Sequence, residues 1–214
     1  MMTVRQGVAL ILLLASLALP LAAHAQGTAP GSAGTVTRLQ GTATVAEAAG
    51  SRILAAGDPV RRGDRLRTGP GSRLQVRFLD GMDLTLSDGA EMVVNTFDWS
   101  PAMAMGSAEL ALVQGSFLLE SGAVGKLPGH PLVVKTPVAS VGIRGTRFWG
   151  GPLDALLNVL LLEGRIVVTS PGGSVELAPG EGTGITAVGA APMPPTVWDG
   201  DRVSRAFATV SFEK

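Results

Sequence analysis

Arg144-Gly145-Thr146 is the sharpest local group of residues that could do chemistry in this chain. A guanidinium presents a planar fork that suits a carboxylate or phosphate on a partner. The same residues also admit a structural role. In that role Gly145 takes a bulge or turn closed to other residues. Thr146 then hydrogen-bonds locally, and Arg144 ties one turn to the next through a carboxylate such as Asp64 or Asp80. The setting between Ile143 and Phe148 favours the structural role. Other chemistry finds little support. Asp80, Asp83 and Asp88 stand near glycines, as in calcium-binding turns. Calcium takes about six to eight oxygens, and neither a repeated nonapeptide nor a bidentate Glu at fixed offset is present, so turn chemistry accounts for these residues. His130 follows Gly129, and a zinc site there would have to be completed by carboxylates alone. No G-x-S-x-G elbow exists for a serine nucleophile. Gly122 to Lys126 has the look of a phosphate loop but fails, because Leu127 stands where Ser or Thr must hold magnesium. No two acids are singled out as a glycosidase pair. The expectation is a protein with no catalytic residues, no cofactor and no metal.

The elements that would carry these residues read as strands. Arg73 to Phe78 alternates polar and apolar, with Leu74, Val76 and Phe78 on one face. Asp83 to Leu86 repeats the alternation, and Asp80-Gly81 between them is a hairpin signal. Asp88-Gly89 marks the next turn. Val36 to Val45, Leu110 to Leu119, Leu132 to Lys135, Val159 to Leu162, Ile166 to Val168 and Val175 to Leu177 also read as strands. Leu153 to Leu157 admits either a helix or a strand. Short strands with turn signals every few residues predict an all-β fold, a single β-roll or solenoid-like domain or a jelly roll. The end of the chain differs. Ala190 to Pro195 is a stiff proline-rich spacer. Beyond it Val203, Phe207 and Val210 fall on one helical face, with Asp199 placed to cap. That short helix either packs on the body, the favoured reading, or offers Trp198, Val203 and Phe207 to a partner.

Composition and the first residues bound the setting. Arg5, an apolar run from Val8 to Leu19, Pro20 and Ala23-His24-Ala25 follow the order of a cleavable secretory signal. The run is shorter than the roughly 20 residues a membrane span needs. The expected organisation is a signal peptide over 1–25, a flexible N-terminus over 26–33, a β domain over 34–189 and a spacer with tail over 190–214. The expected location is periplasmic or secreted, with no membrane span after cleavage. Cysteine is absent, so stability must come from an apolar core rather than disulfides, and a lipid-anchored N-terminus has no residue to carry it. The exported chain would hold 16 basic and 17 acidic residues, which gives nucleic acid no basic surface to bind.

Three segments together resemble the FecR domain family. The first is Gly34-Thr35-Val36 with Gly41 to Val45. The second runs from Val60-Arg61-Arg62-Gly63-Asp64-Arg65-Leu66-Arg67-Thr68-Gly69 through Ser72, Leu74 and Val76 to Asp80-Gly81, with Met82 where the family often has Ser. The third is Thr136-Pro137-Val138-Ala139-Ser140-Val141-Gly142-Ile143-Arg144-Gly145-Thr146-Arg147-Phe148. Glu163-Gly164 and Pro179-Gly180-Glu181 follow as in the family, so the resemblance covers roughly residues 34–185. It implies an extracytoplasmic all-β domain. In the regulators proper, such a domain listens to an outer-membrane receptor while a cytoplasmic segment acts on a sigma factor. Only Met1 to Gly7 precede the apolar run here, so the resemblance implies the domain and not the sigma-factor pathway. Three functions follow as alternatives: a sensing module that binds an envelope protein, a cell-wall or surface-polysaccharide binder, or a structural envelope component that self-associates. A polysaccharide groove would draw its stacking aromatics from Trp99, Trp149 and Trp198.

Overall fold

A computed structural model describes residues 31–47, 50–129 and 131–213. The expected signal peptide, Gln26 to Pro30 and His130 lie outside the described residues. The described residues form sixteen strands and one α-helix. These are β1 (Ser32–Gln40), β2 (Ala43–Glu47), β3 (Gly50–Ile53), β4 (Pro59–Arg61), β5 (Arg65–Thr68), β6 (Arg73–Phe78), β7 (Asp83–Leu86) and β8 (Glu91–Ser100). Then come β9 (Met105–Gln114), β10 (Phe117–Glu120), a 3₁₀ turn at Val124–Lys126, β11 (Leu132–Lys135), β12 (Ser140–Gly151) and β13 (Leu157–Ser170). The last elements are β14 (Gly173–Leu177), β15 (Glu181–Ile185), β16 (Thr196–Val197) and α1 (Gly200–Val210). The fold is all-β with a short C-terminal helix, as the alternation and the tail predict. All strands join one sheet, which curls into a half-barrel. Every pairing is antiparallel except β9 with β11.

The alternating segments behave as read. Leu74, Val76 and Phe78 are buried while Arg77 is exposed, and β6 pairs β7 across the turn at Asp80-Gly81. Two expected strands are each split in two. Val36 to Val45 breaks at Gly41 into β1 and β2, and Leu110 to Leu119 breaks at Gly115 into β9 and β10. At both breaks the chain bends and changes its strand neighbours, and side chains take over backbone bonds lost there. The Thr42 N–H donates to Ser72 Oγ at 2.9 Å, and the Ser116 N–H donates to Ser87 Oγ at 2.9 Å. Two other expected strands fuse, since β13 runs unbroken from Leu157 to Ser170 through Gly164. Leu153 to Leu156 forms bends, and β13 begins at Leu157.

The main core lies inside the curl. It includes Val36, Leu66, Leu74, Phe78, Leu84, Met92, Leu110, Phe117, Ile143, Phe148 and Val168. Each such side chain contributes ~1.5–3 kcal/mol when fully buried, the only large stabilising source open to a chain without cysteine. Phe117 and Phe148 meet edge to face with centroids 5.4 Å apart. A second cluster lies on the opposite face of the sheet, where α1 covers Trp149 and Leu160 with Trp198, Ala206 and Val210. Adjacent residues of β12 and β13 therefore serve two cores. Phe148 and Leu161 point into the curl, and Trp149 and Leu160 point out beneath α1.

Candidate interaction site

The residues singled out by chemistry sit where several turns stack against β12. The Asp80 carboxylate accepts from the Met82 N–H at 3.0 Å and from the Val124 N–H at 3.1 Å. It thereby anchors its own turn and the start of the 3₁₀ turn, as turn chemistry predicts. Ser121 and Thr146 are joined twice, through Thr146 N–H to Ser121 Oγ at 2.7 Å and Ser121 N–H to the Thr146 carbonyl at 2.8 Å. The Thr146 hydroxyl itself has no hydrogen-bond partner among the described residues.

Gly145 carries φ +58° at the centre of this stack. The register of β12 on β13 shifts there, between Arg144↔Arg165 and Arg147↔Glu163. This is the bulge expected of the segment. Gly164, with φ +85°, lies against it so closely that an added methyl would overlap the Gly145 carbonyl oxygen. The bulge therefore needs glycine on both strands. The tie from Arg144 to Asp64 or Asp80 is not formed. Asp80 is engaged as above, and Asp64 accepts from the Arg61 N–H at 2.8 Å. Arg144 instead points to the outer face, exposed, with no side-chain hydrogen bond or ion pair among the described residues.

Arg144 borders an open groove of about 620 Å³ lined by Gly142, Ile143, Arg165, Val167 and Glu176. The groove exists because Gly142 has no side chain. Beside Gly142 in register stand Val167 on β13 and then Glu176 on β14, and both line the groove. Two other charges on these strands are paired. Arg165 pairs with Glu176, and Lys135 pairs with Glu109 at 2.7 Å. Lys135 and Asn95 hydrogen-bond the Glu109 carboxylate and hold it below the ordinary carboxylate range, against the opposing effect of burial. Arg144 lines the groove with no ion-pair partner among the described residues, and Lys126, whose Cγ would lie 3.8 Å from a methyl at Gly145, is likewise exposed and unpaired there.

The tail residues occupy the second cluster. Trp198 and Val210 are buried, and Val203 and Phe207 pack against them. Asp199 caps α1, accepting from the Arg202 N–H at 2.8 Å. Trp149 Nε1 donates to Thr209 Oγ1 at 3.0 Å, and Arg202 lies 4.1 Å over the Trp198 ring. Arg205 reaches Asp154 at 2.8 Å. That bond, opposed by partial burial and aided by the charges of Arg205 and Arg202, lowers the Asp154 pKa. Gly182 completes the seat, since a side chain there would overlap the Trp198 indole. Arg144 and the tail are therefore separate places on the molecule. Trp149 and Trp198 are buried and Trp99 is half-buried against the main core, so none of the three stands out as a stacking platform. Sequence reasoning missed the groove because the open space over Gly142 depends on which residues of β13 and β14 come beside it in register.

Comparison with known proteins agrees with this architecture. Residues 64–167 match the family model described as FecR protein. The match takes in the turn at Asp80, the Arg144 bulge and Gly164. Two crystal structures, at 1.65 Å and 2.50 Å, of a "putative anti-sigma factor" from Parabacteroides distasonis ATCC 8503 are similar in fold, with TM-scores of 0.52 and 0.53 at 21% and 20% identity. Each alignment covers 65% of this chain, which spans 62% of the length of those chains. No curated protein matches the sequence. Among the described residues no helix is long and apolar enough to cross a membrane.

Proposed function

We propose that this chain, which carries a FecR domain over residues 64–167, is an exported sensing module of the bacterial envelope that binds a protein partner and performs no catalysis. The observation that carries the reading is the groove over Gly142 with the unpaired Arg144 at its side. A partner segment fits if it lays an apolar side chain over Gly142 against Val167 and a carboxylate against the Arg144 fork. An Arg–carboxylate pair of this kind is bidentate and directional, so it selects orientation as well as charge. The FecR match and the anti-sigma-factor fold likeness support a regulatory role over an enzymatic one. The order of charge, apolar run and A-x-A at the start of the chain supports export. The packed tryptophans weigh against polysaccharide binding.

The test is affinity capture of envelope proteins by the wild-type chain and by Arg144→Glu. Arg144 is exposed, so the substitution should leave folding intact. It should lower retention of a specifically bound protein about tenfold, equivalent to about 1.4 kcal/mol. Equal retention by both would remove the groove from the proposal.

A further inference from the structure

Lys126 brings a second cation to the end of the groove from a separate element. It closes the 3₁₀ turn at Val124–Lys126. That turn is tied down on both sides. The Asp80 carboxylate accepts from the Val124 N–H at 3.1 Å. Gly125 lies so close to Ser121 that an added methyl would meet the Ser121 Cβ at 2.7 Å, and Ser121 is itself bonded twice to Thr146 of β12. The turn is thus held against the bulge, and the Lys126 stem lies over Gly145, its Cγ 3.8 Å from where a methyl there would sit. The Lys126 side chain is exposed and has no hydrogen-bond or ion-pair partner among the described residues.

The charges around these two cations are arranged unevenly. Arg144 stands directly opposite Arg165 in the register of β12 on β13. Like charges so placed repel each other. Arg165 has Glu176 on β14 to pair with. The acids on the other side both face Arg147, with Glu120 at 3.9 Å and Glu163 as its register partner. Among the described residues neither Arg144 nor Lys126 has an acid of its own. The floor beside them, at Gly142 and Val167, is uncharged.

We infer that the groove selects an acidic segment of its protein partner, one in which an apolar residue is followed two and four positions along by carboxylates. The inference rests on the partner binding proposed above and adds the second carboxylate, held by Lys126. An extended segment shows every second side chain on one face, about 6.8 Å apart. Gly142 and Arg144 have that same spacing on β12, and Gly145, under the Lys126 stem, comes next. A segment lying along β12 with its apolar side chain over Gly142 therefore brings the next side chain to Arg144 and the one after to Lys126. A carboxylate on Arg144 also offsets its repulsion with Arg165. Anionic lipid headgroups would meet the two cations but leave the apolar floor at Gly142 and Val167 unfilled, so a peptide segment fits the groove better.

Fluorescence anisotropy with rhodamine-labelled peptides tests it. The probe is Glu-Ser-Glu-Ser-Leu-Ser-Glu-Ser-Glu, which presents the pattern in both chain directions. A second peptide carries glutamine in place of the two outer glutamates. The proteins are the wild type, Arg144→Gln and Lys126→Gln, the last of which keeps a stem over Gly145. Both positions are exposed, so the variants keep the fold. The wild type should bind the probe with a Kd below roughly 1 mM, more weakly as salt rises. Arg144→Gln should weaken that binding about tenfold and Lys126→Gln about threefold. The outer-glutamine peptide should bind the wild type about threefold more weakly than the probe, and Lys126→Gln should weaken it no further. Failure of the wild type to bind the probe overturns the inference, as does a Lys126→Gln loss that is equal for both peptides. If Arg144→Gln weakens both peptides and Lys126→Gln weakens neither, the second carboxylate falls and the proposed partner binding stands. Equal binding by wild type and Arg144→Gln removes both. Binding to phosphatidylglycerol vesicles that is lost in both variants, with no binding to the probe, overturns the inference in favour of a membrane surface.

Discussion

Replacing Gly164 by alanine is expected to lower the thermal unfolding midpoint by roughly 10 °C. Two costs combine. A residue with a Cβ in the left-handed region costs roughly 1–2 kcal/mol, and Gly164 has φ +85°. The new methyl also overlaps the Gly145 carbonyl oxygen, and overpacking of this kind costs about 1–3 kcal/mol. The carbonyl is backbone inside a bulge tied to Ser121 through Thr146, so it cannot yield as a side-chain tip would. Differential scanning calorimetry reads the effect directly. A midpoint within about 2 °C of wild type would mean that the bulge is soft, and that Arg144 is not held in a fixed place.

The second large effect belongs to Trp198. Truncation to alanine should cost about 3–5 kcal/mol, the range for removing a buried aromatic, and the loss should fall first on the tail. Trp198 fills the space above Gly182 and meets Trp149 edge to face with ring centroids 6.1 Å apart. Without it α1 keeps Ala206 and Val210 as buried anchors and the exposed ion pair at Asp154. Such exposed pairs contribute little on their own. Hydrogen exchange should show the amides of 200–210 losing protection while β6 and β12 keep theirs. Trp198→Phe should retain most of the protection, because the indole N–H has no partner among the described residues. Wild-type exchange in α1 after Trp198→Ala would place the docking of the tail elsewhere.

Local pattern carried much of the fold into the sequence. Arg73 to Phe78 and Asp83 to Leu86 could be read as a hairpin because alternation and an Asp-Gly turn point the same way. The splits at Gly41 and Gly115 leave a trace, since the inward positions change parity across each, from Val36 to Ala43 and Val45 and from Leu112 to Phe117 and Leu119, but reading each stretch as one run masked it. The apolar run Val159 to Leu162 shows the opposite difficulty. It is buried on both faces because α1 covers the outer one, and a doubly buried strand has no alternation to read. Asp199, Val203 and Val210 gave the helix its cap and its packed face from spacing alone. At the site, the bulge at Gly145 was legible from a glycine between an arginine and a threonine. The freedom of Arg144 was not, because it depends on Asp64 being engaged by an amide of its own turn and Asp80 by amides of its own turn and of the 3₁₀ turn. The groove needed the register of β12, β13 and β14 to bring Gly142, Val167 and Glu176 into line.

The central claim is that a protein partner occupies the groove over Gly142 beside Arg144. A photo-crosslinking residue placed at Val167, which lines the groove and is 39% exposed, tests it in the cell envelope. The control position is Val197, which is 76% exposed on β16 away from the groove. The account predicts one discrete adduct from position 167, none from 197, and loss of the adduct when Arg144→Glu is added. No adduct from position 167, or the same adduct from both positions, would contradict it.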